Sequence, residues 1–290
     1  MMFESHYYPQ PVDLPYPPRR VVSLVPSLTE TLFDLNLGKF VVGITDDCLF
    51  PHGARVRRVG AMDAIRVEEV VQLMPDWVIV NLEENAYEDI LALEASGLSV
   101  WRTFPRTVRE GLNLVWDVLN AFGVEDRMMY ERVNVIERTL DWVGGVARAY
   151  EHIPCSVFLP MLKEPLATLS HDTYTHDLLQ VVGAQNVFAH RYQPTPHQQP
   201  WQDMARYPVV TLEEVIQAQP QMVFLPTYPY PFTQEDVVVY SSLPIPAAQS
   251  QQIYLIDGTL LTYHGTRMAK ALNHLSALMC FNERTSPNYE

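Results

Sequence analysis

One fifteen-residue segment occurs twice in the chain, and this repeat limits the fold more than any other feature. VEEVVQLMPDWVIVN at 67–81 returns as LEEVIQAQPQMVFLP at 212–226, with six of fifteen positions identical and an offset of 145 residues, half of the 290-residue chain. Each copy predicts a short amphipathic helix that ends before a proline and leads into a buried parallel strand. The period far exceeds the roughly 20 to 50 residues of solenoid repeats. We therefore expect two duplicated α/β lobes facing each other across a cleft.

Strands and helices alternate in both halves of the chain. The predicted strands are 21–25, 41–44, 78–80 and 98–101 in the first half, and 156–159, 186–188, 222–225 and 253–256 in the second. Such alternation is typical of parallel sheets flanked by helices. Ser27 and Glu30 have the spacing of a capping box at the start of the first helix, which Gly38 is expected to close.

Between the halves lies a stretch with helical periodicity alone, at 108–122 and 126–150. Its second part carries an apolar stripe with spacings of 4, 3, 4, 3 and 4, formed by Met129, Val133, Ile136, Leu140, Val143 and Ala147. A helix of this length would span about 37 Å and could brace both lobes as a rigid strut. The predicted organisation is a proline-rich arm at 1–19, an N-terminal lobe at 20–124, a connecting helix at 125–150 and a C-terminal lobe at 151–290.

The composition excludes several classes of partner. The formal net charge is −14, from 34 acidic and 20 basic residues, which excludes nucleic acid and an anionic membrane surface as partners. The three cysteines form no CxxC pair, so neither a zinc ribbon nor a disulfide framework is predicted. The first residues show no export signal, and we expect a cytoplasmic monomer; a periplasmic or extracellular location would require a leader before this sequence.

Five segments resemble one family of binding proteins. RRVVSLVPSLTETLFDLNLGKFVVGITDDC at 19–48 resembles the opening of the helical-backbone metal receptors, the cobalamin and ferric-siderophore class of solute-binding proteins of ABC importers. The two copies of the repeat, the DLL region at 171–187 and the terminal GxR helix at 257–278 follow in the order of that family. The segments EEN, TFPRT, DTYT and PYPFT are most similar to those of its leaderless members.

The resemblance implies two Rossmann-like lobes joined by one long backbone helix, with a metal chelate or corrinoid-like molecule held in the cleft. It also implies one surface glutamate per lobe, Glu68 and Glu213, for docking to a membrane permease, although a protein without an export signal would not meet one. A solvated glutamate favoured by the helix dipole is the alternative for both. Met62, Asn81 and Asp47 stand where cobalamin-binding relatives carry aromatic residues, which disfavours cobalamin itself.

The candidate ligand-binding residues come from both lobes. Arginine suits a carboxylate because its fork is bidentate, with surface ion pairing as the alternative. Aromatic rings at strand ends fit a flat or ring-containing ligand, with core packing as the alternative. The predicted set is Ser27, Asp46, Asp47, Glu83, Arg102 and Arg106 from the first lobe, and His171, Asp172, Tyr174, Tyr228, Tyr230, Phe232, Tyr263 and His264 from the second.

No metal ion is assigned to the chain. Asp46, Asp47, Cys48 and His52 offer oxygen, sulfur and imidazole within seven residues, but such a loop is more often a polar turn with a buried thiol. His171 and His176 are five residues apart, which fits neither one helix face nor one strand face. This spacing favours a surface or helix-capping role for both histidines.

The sequence lacks the common catalytic motifs. GxSxG, the P-loop, GxGxxG after a strand and HExxH are all missing. We therefore predict a non-catalytic binding protein. Two alternatives remain: a cytoplasmic chelatase-like enzyme acting on a tetrapyrrole, with His264 and either Glu83 or Glu164 as the reactive pair, and a ligand-free scaffold.

Overall fold

The computed structural model describes residues 17–49, 55–149, 155–192, 195 and 203–283. The chain divides into two compact units. The first unit takes the chain up to Pro105, then Arg109–Asn134 and His264–Arg267. The second takes Arg106–Val108, Val135–Tyr263 and the chain from Met268. Both units are mixed α/β structures built on a parallel sheet, which confirms the predicted fold class.

The first unit contains a five-stranded sheet of order β3-β2-β1-β6-β7, in which every pair is parallel. A short antiparallel hairpin, β4 and β5, lies outside that sheet. The strands are β1 Val21–Ser23, β2 Val41–Ile44, β3 Arg57–Arg58, β4 Gly60–Ala61, β5 Ala64–Ile65, β6 Trp77–Asn81 and β7 Val100–Thr103. The helices are α1 Pro26–Asp34, α2 Val67–Gln72 and α3 Tyr87–Ala95.

The second unit contains a four-stranded parallel sheet of order β11-β8-β12-β13 and an antiparallel hairpin of β9 and β10. Its strands are β8 Cys155–Phe158, β9 Pro160–Lys163, β10 Leu166–Thr168, β11 Ala184–Asn186, β12 Met222–Pro226 and β13 Ile253–Ile256. Its helices are α6 Tyr174–Val181, α7 Leu212–Ala218, α8 Gln234–Ser241, α9 Pro246–Gln249, α10 Thr259–Thr262 and α11 Met268–Glu283.

Both copies of the repeat form the predicted helix and strand. In the first copy α2 precedes β6, and in the second α7 precedes β12. Each strand is interior to its sheet, with β6 between β1 and β7 and β12 between β8 and β13. All five residues of both strands are buried, because helices cover both faces of such a sheet. The apolar runs after the two prolines are therefore explained by position in the sheet.

The central helical stretch folds as α4 Val108–Ala121 and α5 Arg127–Ala149. Val133, Ile136, Leu140 and Val143 of the predicted stripe are buried, whereas its two end positions are partly exposed. Along α5, residues up to Asn134 belong to the first unit and those from Val135 to the second. No helix in the described part of the chain is long and apolar enough to cross a membrane.

The start of α1 differs from the prediction. The helix begins at Pro26, Val25 is the N-cap residue, and no side chain caps the first turn. Proline suits the first helical position because the missing N–H has no partner there in any case. Ser27 is consequently inside the helix, so the predicted capping box with Glu30 is wrong. The helix also ends at Asp34, before Gly38, which opens a 3-10 turn.

The strand predicted at 186–188 is displaced to Ala184–Asn186. The side chain of Asn186 ends the strand, because its Oδ1 accepts from the amide of Phe188 at 2.9 Å and its Nδ2 donates to Leu169 O at 2.8 Å. An asparagine that bonds the backbone two residues ahead turns the chain. Phe188 is thereby placed in the core of the second unit beside Phe158.

Candidate ligand-binding site

Ser27 and His264 form a buried pair in the first unit, close to the carboxyl end of β1. Ser27 Oγ lies 3.2 Å from His264 Nε2, and each residue is 3% exposed. Burial lowers the pKa of His264 to about 4, because the protonated ring would lose its hydration. The imidazole is therefore neutral at pH 7.

The GxR segment packs on α1 through close contacts. Arg267 forms a two-pronged ion pair with Glu30, at 2.8 Å and 2.6 Å. Gly265 has a φ of +109°, and a Cβ at this position would collide with Thr31 Oγ1. Only glycine fits such a position without strain. This contact gives a physical reason for the glycine and arginine of the motif.

A network of two asparagines shapes the turn after β6. Asn85 Oδ1 accepts from the amide of Asn81 at 2.8 Å, and Asn85 Nδ2 donates to Leu24 O at 3.0 Å and to Met62 O at 2.9 Å. Both asparagines are buried, so these bonds satisfy polar groups that water cannot reach. The turn is thereby tied to the ends of β1 and β4.

Three carboxyl groups lie close together at the carboxyl end of this sheet. Asp47 follows β2, and Glu83 and Glu84 follow β6; all three are half-buried. Burial, with smaller contributions from the negative charges of Glu83 and Asp47, raises the pKa of Glu84 to about 8. Glu84 is therefore mainly protonated at pH 7 and can donate a hydrogen bond. Asp47 Oδ2 accepts from the amide of Met62 at 2.7 Å.

Two other predicted residues of the first lobe are engaged in ion pairs on the surface. Arg102 pairs with Glu94 through both of its fork nitrogens, one of them at 2.6 Å from the carboxylate. Asp46 is exposed and lies 3.4 Å from Arg66. The surface-pairing alternative therefore describes Arg102 in the structure.

In the second unit, Asp172 interacts with two arginines. Arg106 lies 3.2 Å from Asp172 Oδ1, while Arg206 Nε donates to Asp172 O at 2.7 Å and lies 3.4 Å from Oδ2. Arg206 is only 1% exposed, which is rare for arginine and requires such partners. Sequence analysis missed Arg206, because neither its spacing nor its neighbours distinguish it from a surface arginine.

The two histidines of the HDTYTH segment differ in environment. His171 is exposed, and its Nδ1 lies 3.0 Å from Ala189 O. His176 is 4% exposed, and its Nδ1 has no hydrogen-bond partner among the described residues. Thr173 caps α6 instead, accepting from the His176 amide at 3.3 Å. The predicted surface or capping role is therefore wrong for His176, because its side chain lies on the buried face of α6.

Acid should destabilise the second unit through His176. Burial, followed by the charges of His171 and His190, lowers its pKa from 6.5 to about 4. The unfolded chain then binds the proton more strongly, so this stability is full above pH 6.5 and is lost as the pH falls towards 4. We expect His176→Asn to reduce the loss of unfolding free energy between pH 7 and pH 5 by about 2 kcal/mol. Urea titrations at both pH values measure this change in unfolding free energy.

The exposed His274→Asn on α11 is the matched control and should leave the difference between the two pH values unchanged. An identical pH dependence in wild type and His176→Asn would contradict the assignment of acid sensitivity to His176.

The predicted aromatic cluster does not form as one group. Tyr228 and Tyr263 stack edge to face at 5.7 Å, and the Tyr174 hydroxyl lies 3.5 Å from Tyr263 O. Tyr230 is 56% exposed, whereas Phe232 is buried in the core of the second unit. The Phe232 amide donates to Pro226 O at 2.9 Å, which folds the chain back over β12. The prediction of Phe232 as a ligand contact is corrected, because its ring is core.

The described residues contain no group of three or more histidine, cysteine, aspartate or glutamate side chains that could hold a metal ion. Cys48 is buried and lies 3.3 Å from Thr45 Oγ1 and 3.5 Å from Thr29 Oγ1. Burial raises the pKa of its thiol. The buried-thiol alternative describes Cys48, and His52 lies outside the described residues.

Several known proteins are similar to this chain in sequence. The vitamin B12-binding protein of Vibrio cholerae is 22% identical over 211 residues, covering 72% of this chain and 71% of the relative. An uncharacterized ABC transporter substrate-binding lipoprotein of Bacillus subtilis is 25% identical over 276 residues, covering 92% of this chain and 82% of the relative. No family model matches the chain.

Solved structures agree with these relatives. The crystal structure of the periplasmic vitamin B12 binding protein of Vibrio cholerae has a TM-score of 0.75 at 18% identity and covers 93% of this chain and all of its own. The periplasmic heme-binding protein of Roseiflexus sp. RS-1 has a TM-score of 0.72 at 20% identity, covering 90% of this chain and 97% of its own. The predicted resemblance and the solute-binding-protein fold are confirmed.

Proposed function

We propose that the chain is a non-catalytic binding protein for a metal chelate or a corrinoid-like ring compound. The observation that carries this proposal is the polar edge at the carboxyl end of the first sheet, where Asp47 follows β2 and Glu83 and the protonated Glu84 follow β6. Ligands of open α/β sheets bind at this end of the strands. The vitamin B12-binding and heme-binding proteins of the same fold support the ligand class.

The second unit, taken by itself, also carries charged and aromatic groups. Asp172 with Arg106, and the edge-to-face pair Tyr228 and Tyr263, offer charged and aromatic contacts. A few convergent polar groups beside aromatic rings are typical of small-molecule sites. No observation favours the chelatase alternative, because the His264 ring is buried against Ser27 and Glu164 is an exposed residue between β9 and β10.

Glu68 and Glu213 are both exposed in the first turns of α2 and α7. Docking to a permease and a simple preference for the positive end of a helix both place a glutamate there. Docking and the cytoplasmic location therefore stay predictions from the sequence and are not part of this proposal.

A ligand screen tests the proposal directly. Thermal shift and native mass spectrometry are run with cobalamin, hemin, ferric siderophores and free divalent metal ions. A ligand present at 100 times its dissociation constant stabilises the protein by about 2.7 kcal/mol, which gives a clear shift. We expect a chelate or corrinoid to bind with 1:1 stoichiometry. No shift with any of them would contradict the proposal, and insertion of a metal into a porphyrin would show an enzyme instead.

One matched pair of variants assigns the site. Glu84→Arg places a long cation among the half-buried carboxyl groups of Asp47 and Glu83. The variant should raise the dissociation constant of the bound chelate about tenfold or more. Glu88→Arg introduces the same change on the exposed first turn of α3 and should not alter binding. If the two variants bind the chelate with equal affinity, the carboxyl edge of the first unit is not part of the ligand-binding site.

A further inference from the structure

An open groove of about 1020 Å³ lies on the first unit. Part of its lining comes just before the strands: Arg19 before β1, Lys39 and Phe40 before β2, Asp76 before β6 and Ser99 before β7. In a parallel sheet all these positions fall at the amino ends of the strands. The candidate site of this unit instead follows the strands, at their carboxyl ends. The groove is therefore a separate feature.

The inner surface of the groove is apolar and partly aromatic. The rings of Phe40 and Phe122 lie 5.2 Å apart, and both residues line the groove with Leu37, Leu98 and Met129. The buried Trp77 supports Phe122 from behind, with ring centroids 6.0 Å apart. A surface of this kind suits the hydrocarbon or ring portion of a ligand.

Two cations at the groove have no carboxylate partner among the described residues. Lys39 Nζ lies over the ring of Phe40, 5.0 Å from its centroid, and the Arg19 guanidinium makes no ion pair in that part of the chain. Three carboxylates also line the groove, those of Asp76, Glu125 and Asp126, and two of them accept hydrogen bonds from backbone amides. Asp76 accepts from the amides of Arg19 and Arg20 at 2.8 Å and 3.0 Å, and Asp126 accepts from an amide in the first turn of α5.

We propose that this groove binds a small amphipathic anion, a carboxylate or sulfonate carried on an aromatic or aliphatic body. The apolar portion would lie against Phe40 and Phe122, and the anionic group would pair with Lys39 and Arg19. Arginine and lysine favour such anions through charge-assisted hydrogen bonds. The volume is close to the roughly 300 to 1,000 Å³ of pockets that hold small molecules. This inference is independent of the function proposed for the opposite edge.

The probe for this test is 8-anilinonaphthalene-1-sulfonate, which joins a ring system to a sulfonate and fluoresces when bound. We expect saturable 1:1 binding to the full native chain at pH 7. The double variant Arg19→Glu with Lys39→Glu should raise its dissociation constant about tenfold or more, since two attractions become repulsions. The matched control is Arg148→Glu with Lys270→Glu, two exposed cations of the second unit that change the net charge equally.

Competition then defines the chemical class of the ligand. 1-Naphthoate and decanoate should displace the probe, and the neutral 1-naphthol should do so far less. Equal probe affinities in the two double variants, or equal displacement by naphthol and naphthoate, would overturn the proposal. A homodimer that dissociates only in the Arg19→Glu, Lys39→Glu variant would assign the groove to a second copy and overturn it as well. Lys39→Met replaces the double variant should the latter melt early.

Discussion

Replacing Leu140 by aspartate should lower the free energy of unfolding of the second unit by about 4 kcal/mol. Leu140 lies on the buried stripe of α5 and is 7% exposed. The substitution removes apolar contacts and places a carboxylate where water cannot hydrate it. Urea denaturation followed by circular dichroism measures the loss.

The control for this variant lies on the same helix. Val135→Asp introduces the same residue at a position that is 50% exposed, five residues before Leu140 and in the same unit. Its effect should stay below about 1 kcal/mol, as is usual for surface substitutions. Similar denaturation midpoints for the two variants would show that the buried stripe does not stabilise the unit.

Arg206→Ala is expected to destabilise the second unit by about 3 kcal/mol or more. The guanidinium is fully enclosed and bonds both the carbonyl and the carboxylate of Asp172. Its removal leaves a cavity and deprives Asp172 of one of its two cations. Arg206→Lys should recover little of the loss, because a lysine ammonium cannot reproduce the planar fork. Thermal and urea denaturation of the three proteins test this order.

Arg191→Ala provides the comparison for the buried arginine. Arg191 also forms an ion pair, with Glu214, but its side chain is 45% exposed. Pairs at the surface contribute about 1 kcal/mol or less because water solvates both partners. If Arg191→Ala and Arg206→Ala lower the free energy of unfolding equally, burial does not explain the contribution of Arg206 to stability.

Elements in the interior of the fold could be predicted almost to the residue. The strands predicted at 78–80 and 222–225 lie within one residue of the observed bounds of β6 and β12. A strand covered on both faces, or a helix with one packed face, has to carry that pattern along its whole length. The duplicated segment also identified β6 and β12, since the same burial acts on both copies.

The ends of elements were harder to predict, because a single residue can decide each of them. Ser27 with Glu30 has the spacing of a capping box, but Pro26 occupies the first helical position and moves the start of α1. Asn186 ends β11 through a bond to the backbone two residues ahead. Neither the effect of Pro26 nor the bond of Asn186 follows from periodicity.

Candidate residues at the strand ends could be proposed from the sequence, while the environment of their side chains could not. Burial by the rest of the chain determines the pKa values of Glu84 and His176 and makes Phe232 a core residue. Burial depends on contacts between residues far apart in sequence, which a local pattern does not contain. Arg206 shows the same limit, because only its enclosure distinguishes it.

The four residues His264–Arg267 belong to the first unit, although 129 positions separate His264 from the preceding stretch of that unit, which ends at Asn134. During synthesis 237 residues are therefore added after Glu30 before it can meet Arg267, and the same number after Ser27 before it can meet His264. The N-terminal lobe cannot complete its fold when its own strands have been made, because these contacts wait for residues 264–267. A fragment that ends after α4 would lack both His264 and Arg267. The first unit is therefore compact in space but not continuous in sequence.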